Sequence, residues 1–179
     1  MLNTNNKALS YLKCLSICLL FAFQGMAQSP TENLSKLGIV LPKPTSPIAN
    51  YVKYVQSGNL VFLSGHGPSK ADGTYIVGKL GTDLTVAQGA EAAKLTGINL
   101  LATLQSAVGD LNKVKRIVKV LGFVNGNNDF ADQPKVMNGF SDLMVAVFGE
   151  KGKHARSAIG TNSLPNNMAV EIEMVVELF

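Results

Sequence analysis

The chain has 179 residues, of which 46% are apolar and 16% charged, a balance that excludes a disordered chain and fits one packed domain. The formal net charge of +4 falls to +2 when Lys7 and Lys13, the only charged side chains of residues 1–27, are set aside. That is too little for a nucleic-acid-binding surface. Both cysteines, Cys14 and Cys18, lie in the same segment, so the body is expected to hold no disulfide framework and no Cys-x-x-Cys zinc site.

The first 27 residues have the pattern of a secretory signal. Their two lysines flank a polar start, and the apolar run that follows at 14–23 is too short for a permanent membrane span. Small residues then lead to Ala27, as before a signal-peptide cleavage site. We predict cleavage after Ala27 and export to the periplasm or out of the cell, with no stable membrane anchor. An anchor that stays attached is the alternative interpretation.

A proline-rich segment separates the predicted signal from the domain. Residues 28–49 hold four prolines, which cannot donate to a helix or strand ladder, so we expect an extended lead-in and assign the domain to residues 50–179. The domain begins with β-rich runs at 51–56 and 60–64 around a Ser-Gly-Asn turn, which is a hairpin pattern. A third strand is predicted at 74–80, after an Asp-Gly turn.

Two amphipathic helices are predicted next. The Thr-Val-Ala-Gln sequence at 85–88 is a capping box, and apolar and small residues then recur every three or four positions until Gly109 ends the pattern. A second helix is expected from about Pro134, a residue that suits the first turn, to Phe148, with Gly149 as its end.

Three further strands complete the predicted pattern. One lies at 116–124 between the helices, and a short one lies at 156–161. In 168–179, apolar side chains alternate with a face that carries three carboxylates. With the last two strands counted as one unit, the order is β-β-β-α-β-α-β. Two helices are available to cover one face of a sheet, which predicts an α+β sandwich.

Few residues of the body carry groups suited to catalysis. Its two histidines, His66 and His154, cannot complete a closed zinc site by themselves. Ser64 lies outside the Gly-x-Ser-x-Gly elbow of serine hydrolases, and no base can be assigned to it. The sequence also has no Walker loop and no strand-linked Gly-x-Gly-x-x-Gly motif. We therefore expect neither a metal nor a cofactor.

Arg156 and Glu171 are the more informative charged residues. Arg156 is one of two arginines in the body, and a guanidinium binds a carboxylate through two parallel hydrogen bonds. The residue pattern alone nevertheless favours a salt bridge for Arg156, a solvated strand face for Glu171 and the edge of the core for Tyr51. If the last two strands formed a regular hairpin, Arg156 would pair with Val175, about 13 Å along the strand from Glu171 at ~3.3 Å per residue. Spacing alone therefore assembles no site.

Several short motifs resemble one known family. The motifs are Tyr-Val at 51–52, Gly-Asn at 58–59, Leu-Ser-Gly at 63–65, Asn-Asp-Phe at 128–130, Ala-Arg-Ser-Ala at 155–158, Leu-Pro at 164–165 and Val-Glu-Ile-Glu at 170–173. Together they resemble the Rid family, the reactive intermediate deaminases also called YjgF or endoribonuclease L-PSP proteins. The interval from Arg156 to Glu171 matches the family without a gap, and the resemblance covers roughly residues 45–179.

The resemblance implies a fold, an assembly and roles for named residues. The fold would be the chorismate-mutase-like α+β unit, with two helices on one face of a mixed sheet, and the assembly a homotrimer with sites in clefts between subunits. Arg156 would hold the carboxylate of a small-molecule substrate, and Glu171 would position or activate the attacking water. Tyr51 and Ser64 would line the same pocket and orient substrate or water. Backbone hydrogen bonds would come from two further residues, Gly65 and Ala158.

The reaction that the resemblance implies is hydrolysis of a 2-imino acid, or of its enamine tautomer, to a 2-keto acid and ammonia. Such an imine is already electrophilic, so the site needs a carboxylate anchor, a placed water and a proton path. Two alternatives stay open. One is a non-catalytic trimeric protein that binds small carboxylates. The other is an endoribonuclease, for which the sequence support is weak because the charge is low and no histidine pair can be assigned as acid and base.

The sequence departs from the better-known family members at several positions. His66 and Gly67 stand where those members have Gln and an apolar residue, and Ala158 stands where many have Cys. Gln133 and Pro134 lie in a longer connection to the second helix. These differences predict a divergent subgroup with an altered pocket, whose substrate the sequence leaves open.

Overall fold

The computed structural model describes residues 29–44 and 50–179. The predicted signal segment lies outside these residues, as does 45–49 of the predicted lead-in, so cleavage and export stay predictions. In the described part of the chain, none of the helices combines the length and the apolar character that a membrane span requires.

The described residues form one sheet with helices packed against it. In chain order the elements are α1 (Pro30–Lys36), β1 (Tyr54–Ser57), β2 (Leu60–His66), α2 (Val86–Val108), β3 (Val114–Asn125), α3 (Gln133–Phe148), β4 (Ala155–Thr161) and β5 (Val170–Leu178). The strand order in the sheet is β1-β2-β5-β3-β4, and the β3–β4 pair alone is parallel. Helices α2 and α3 pack on each other and on one face of the sheet. The predicted α+β class, with two helices on one face of a mixed sheet, is confirmed.

The prediction of a strand at 74–80 is wrong. The segment between β2 and α2 makes only isolated bridges, among them Ser69 with Tyr75 and Val77 with Met168. Gly78 interrupts the run with a φ of +121°, a conformation that breaks a regular strand. The last two predicted strands form as β4 and β5, which do not pair with each other. The order from β1 onward is therefore β-β-α-β-α-β-β.

Helix α1 corrects the prediction of an extended lead-in. Ser29 caps the helix, because its Oγ accepts from the backbone N–H of Glu32 at 3.2 Å while the Glu32 carboxylate accepts from the N–H of Ser29 at 3.0 Å. Pro30 lies in the first turn, where its missing N–H costs no hydrogen bond. Asn33 then donates to the carbonyl of Val147 at 2.9 Å, which ties α1 to α3.

The local signals of the two long helices are confirmed. Helix α2 begins after Thr85, which forms a capping box with Gln88 of the first turn, and Gly109 ends the helix with a φ of +79°. The two helices approach closely at Gly139. A Cβ atom on that glycine would lie 2.7 Å from the carbonyl carbon of Ala90. Only glycine permits this backbone contact between α2 and α3.

Strand β5 divides the sheet into a covered face and an open face. Four of its residues of even number are buried against the helices: Val170, Ile172, Met174 and Val176. Its glutamates lie on the other face, as the alternation predicts. That open face also carries exposed apolar side chains of other strands, among them Phe62 of β2 at 45% and Ile159 of β4 at 47% exposure. It holds a groove of about 300 Å³ lined in part by Ser64, Phe62 and Glu173.

Candidate active site

Arg156 lies on β4, an edge strand, and its side chain turns toward helix α3. In the parallel register it lies opposite Val120, a buried residue of the covered face, so Arg156 belongs to that face. Its Nη1 donates to Asn138 Oδ1 at 3.1 Å and to Ser141 Oγ at 3.0 Å. Its Nη2 donates to the carbonyl of Pro134 at 3.4 Å. Helix α3 therefore fixes one side of the half-buried guanidinium.

The charge of Arg156 is left without a counterion in residues 29–44 and 50–179. Its three acceptors are neutral, and the ion pairs of these segments are Lys–Glu and Lys–Asp pairs elsewhere on the surface. A salt bridge, which the residue pattern alone favours, does not form there. The neighbouring nitrogens Nε and Nη2 keep two N–H groups without an acceptor in the described segments, and such an edge is what arginine uses to grip a carboxylate.

Glu171 lies on β5, on the open face, against a bulge of strand β2. Ser64 and Gly65 together oppose a single position of β5, which makes a β-bulge. A Cβ atom on Gly65 would clash with Glu171 Oε1 and lie 3.0 Å from its Cδ, so the carboxylate rests on the glycine backbone. Burial raises the pKa of Glu171 above its ordinary value, and the charge of Glu173 adds to the effect. A half-buried carboxylate with a raised pKa is a stronger base than an exposed one.

The other predicted site residues lie on or beside different strands of the sheet. Ser64 Oγ donates to the carbonyl of Lys53 at 3.2 Å. Ser64 precedes Gly65, which contacts the Glu171 carboxylate, and it lies in the bulge opposite Glu173. Tyr51 is 48% exposed and precedes β1, the edge strand that pairs with β2. Ala158 is half-buried on the covered face, two residues along β4 from Arg156.

One chain does not bring these residues into one site. Strand β4 pairs with β3 in parallel, so Arg156 lies opposite Val120. A hairpin between β4 and β5 would place Arg156 opposite Val175, so the hairpin prediction is wrong. Glu171 lies opposite Phe123, whose side chain points to the open face. Arg156 and Glu171 thus project from opposite faces of the sheet, with β3 between their strands.

His66, a departure from the family pattern, is a structural residue of the bulge. Its Nδ1 lies 2.7 Å from the carbonyl of Ser64, and its Nε2 lies 2.8 Å from Thr103 Oγ1 on helix α2. Burial lowers its pKa to about 4, so the ring is neutral at neutral pH. His66 therefore holds the bulge that supports Glu171 and is not a free acid or base.

Three residues around Arg156 are not predicted as site residues from the sequence. Asn138 and Ser141 contact its guanidinium, and His154 Nε2 lies 3.1 Å from Ser141 Oγ. A signal was present, because Asn138 and Ser141 are polar residues three positions apart on one side of an amphipathic helix. Which strand that side faces depends on the parallel β3–β4 pairing, which local patterns do not reveal.

Comparison with known proteins places this arrangement in a class. The family profile described as "YjgF/chorismate_mutase-like, putative endoribonuclease" matches residues 31–178. The crystal structure of the protein Atu1372 from Agrobacterium tumefaciens is similar with a TM-score of 0.77 and 41% identity, over 88% of this chain and 97% of that one. The fold is therefore of the chorismate-mutase-like α+β class.

Two sequence relatives narrow the class to a family. Protein TCP17 of Trypanosoma cruzi is 46% identical over 82% of this chain and 92% of its own. A 2-iminobutanoate/2-iminopropanoate deaminase of Dermatophagoides farinae is 30% identical over 77% of this chain and 93% of its own. The chain belongs to the Rid/YjgF family, whose members include an imine deaminase.

Proposed function

We propose that this protein hydrolyses 2-imino acids and their enamine tautomers to 2-keto acids and ammonia, in clefts between the subunits of a homotrimer. The observation that carries the proposal is the guanidinium of Arg156, which neutral acceptors of α3 hold in place while one edge stays open for a carboxylate. The deaminase among the relatives supports the reaction type. The proposed chemistry requires no metal, no cofactor and no nucleic acid.

The proposed reaction needs one anchor and one proton carrier. The carboxylate of the imino acid binds the Nε and Nη2 edge of Arg156, and a water molecule lies beside Glu171. Water adds to the carbon of the protonated C=N group while a proton of the water passes to the Glu171 carboxylate, which gives a neutral carbinolamine. Glu171 then returns this proton to the nitrogen, the C–N bond breaks and ammonia leaves. The hydroxyl proton passes to Glu171 as the keto group forms, and ammonia or solvent takes it up afterwards. The raised pKa of Glu171 makes it both a better base and a usable acid for these steps.

The homotrimer is part of the proposal because one chain separates its two functional groups. The open face carries Phe62, Ile159 and other exposed apolar side chains, a surface that favours contact with a second copy. A cleft between two copies would bring Arg156 of one protomer toward Glu171 of the next. Light scattering on the purified protein is expected to give three times the mass of one chain.

The activity test is keto-acid release from an imine made in the assay by an amino-acid oxidase. The wild type is expected to accelerate release, and Arg156→Ala is expected to lose about 10- to 100-fold in kcat/KM, since hydrogen bonds to a charged group contribute roughly 1.5–3 kcal/mol. Arg116→Ala is the matched control, because Arg116 is the other arginine of the body and is exposed on β3. No acceleration by the wild type over a panel of imino acids refutes the proposal.

The shared cleft has a separate test by complementation. Arg156→Ala and Glu171→Gln proteins are unfolded, mixed in equal amounts and refolded together. In random trimers about a quarter of the clefts receive an intact Arg156 from one protomer and an intact Glu171 from its neighbour, so about a quarter of wild-type activity returns. Mixed trimers without recovered activity contradict a site shared between protomers.

Binding without turnover is the second candidate function. It is favoured by the position of Arg156, whose clamp is complete in a single chain whereas Glu171 lies on the other face. Calorimetry with 2-keto acids separates the two functions. Tight binding by a wild type that accelerates no imine hydrolysis supports the binding protein, and turnover supports the enzyme.

Export through residues 1–27 completes the proposal. A protein exported as proposed begins at Gln28, and N-terminal sequencing of the protein recovered outside the cytoplasm measures this directly. A start at Met1 contradicts cleavage.

A further inference from the structure

A chain of hydrogen bonds runs from the backbone of Gly152 to the guanidinium of Arg156. His154 Nδ1 lies 2.7 Å from the carbonyl of Gly152, and His154 Nε2 lies 3.1 Å from Ser141 Oγ. Arg156 Nη1 donates to the same Oγ at 3.0 Å. The chain links the 3-10 turn Gly149–Gly152, the start of β4 and helix α3 at the candidate carboxylate anchor.

The chemistry of each group sets the direction of these bonds. The carbonyl of Gly152 only accepts, so His154 Nδ1 carries the hydrogen. Burial, with the nearby charge of Arg156, lowers the pKa of His154, so the ring is neutral and its Nε2 accepts. Ser141 must then donate its hydroxyl hydrogen to Nε2, which leaves its oxygen lone pairs for Arg156. The bond to His154 therefore fixes the rotation of the Ser141 hydroxyl, so its oxygen stays available as an acceptor for Arg156.

The beginning of the chain is rigid. A Cβ atom on Gly152 would clash with the carbonyl oxygen of Met144 and lie 2.9 Å from the backbone nitrogen of Val145. Only glycine allows the turn to approach α3 this closely, so the Gly152 carbonyl is held against the helix. The ring of Phe140 meets His154 edge-on, with centroids 5.9 Å apart. Backbone packing and an aromatic contact therefore fix the histidine.

We propose that His154 and Ser141 are positioning residues that lock the guanidinium of Arg156 with its Nε and Nη2 edge toward the substrate carboxylate. Nη1 is committed to α3, so rotation of the guanidinium would break the contact with Ser141. Neither residue touches the reacting atoms in this proposal. It rests on the proposed function of Arg156 and adds the reason why that side chain is preorganised.

The test measures substrate affinity separately from the chemical step. His154→Phe keeps a ring but removes the acceptor, and Ser141→Ala removes the hydroxyl. Each is expected to weaken binding of 2-oxobutanoate by about tenfold in calorimetry and to raise KM for its imine by a similar factor, with kcat within about twofold. His154→Gln, whose amide oxygen can accept from Ser141, is expected to retain most of the affinity. Melting curves show whether each variant is folded, and Ser141→Ala carries the test if His154→Phe is not.

The same substitutions in an Arg156→Ala background separate positioning from a general structural effect. Without the guanidinium, His154→Phe and Ser141→Ala are expected to cause no further loss of affinity. An undiminished loss in that background, or wild-type affinity of both single variants, overturns the inference while the proposed function stands. A wild type that neither binds 2-oxobutanoate nor hydrolyses its imine refutes the proposed function, and this inference with it.

Discussion

Replacing His66 with Gln tests how the bulge under Glu171 is held. The His66 ring is 7% exposed and bridges Ser64 on β2 to Thr103 on α2 through hydrogen bonds of 2.7 and 2.8 Å. Glutamine also donates and accepts through one side chain, but it does not titrate. The substitution therefore removes a proton equilibrium from the bulge while it offers the same two kinds of hydrogen bond.

The magnitude follows from the pKa of the folded state. Burial lowers the pKa of His66 from 6.5 to about 4, so the unfolded chain takes up a proton at a higher pH than the folded one. The folded state is therefore favoured by the neutral His66 ring in full above pH 6.5, and this contribution to the free energy of unfolding is lost as the pH falls from 6.5 toward 4. One pKa unit corresponds to 1.36 kcal/mol, so the full loss is about 3 kcal/mol. The bulge should therefore loosen in acid before the rest of the sheet.

Urea unfolding at pH 7, 6, 5 and 4 measures this loss. All samples are kept at one protein concentration, because the stability of an oligomer depends on it. The free energy of unfolding of the wild type, relative to His66→Gln, is expected to fall by about 3 kcal/mol between pH 7 and pH 4. Other titrating groups act in both proteins and cancel in the difference. A difference that stays constant over this range would mean that His66 keeps its ordinary pKa, and the argument from burial would be wrong.

Three further substitutions test the site and the core. Gly65→Ala places a Cβ against the Glu171 carboxylate, so we expect most turnover to be lost while 2-oxobutanoate binding persists; full turnover would contradict the contact. Glu171→Gln is expected to lose most turnover, because the proposed reaction passes its proton through this carboxylate. It is also expected to raise the melting temperature at pH 7, because a half-buried carboxyl with a raised pKa no longer has to ionise in the folded state. A lower melting temperature at pH 7 would contradict this. Gly139→Ala forces a Cβ onto the backbone of Ala90 and is expected to cost about 1–3 kcal/mol in urea unfolding, and an unchanged midpoint would show that the helices separate freely.

The helices could be predicted from the sequence because their signals are local. The capping box at Thr85, the glycine end at Gly109 and the apolar periodicity all act within a few residues, and helix α2 has the predicted bounds. Helix α1 was missed for a local reason too. Proline was interpreted as a breaker, although Pro30 occupies the first turn, where proline is accepted, and Ser29 supplies the cap.

The order of the strands could not be predicted in the same way. The connection from β4 to β5 has the length of a hairpin loop, but it contains a 3-10 turn with Asn166 and Asn167 both at φ 53°. These left-handed residues carry the chain past β3, so β5 enters the sheet between β2 and β3. The choice depends on the helix α3 crossover and on the pairing of both edges of β3, which are properties of the whole fold.

The candidate site shows the same division between local and global information. The Ala-Arg-Ser-Ala motif at 155–158 identifies Arg156 as a candidate carboxylate anchor, and the family resemblance assigns Glu171 as its proposed partner in the reaction. Which way the side chain turns follows from strand alternation once the register is known, and the register comes from the parallel pairing with Val120. Ser141 and His154 become visible only then, because each lies on a different element from the strand that carries Arg156.

Each of the two proposed functional groups lies beside a surface that a single chain leaves uncovered. Arg156 is on β4, an edge strand whose outer backbone groups have no strand partner in the described segments. Glu171 is on the open face, which also carries the exposed side chain of Phe62. Side-chain rotation cannot bring the two together, because the sheet itself lies between them. If both act on one substrate, the edge of one protomer must meet the open face of another, so assembly and catalysis in this protein would depend on the same contact.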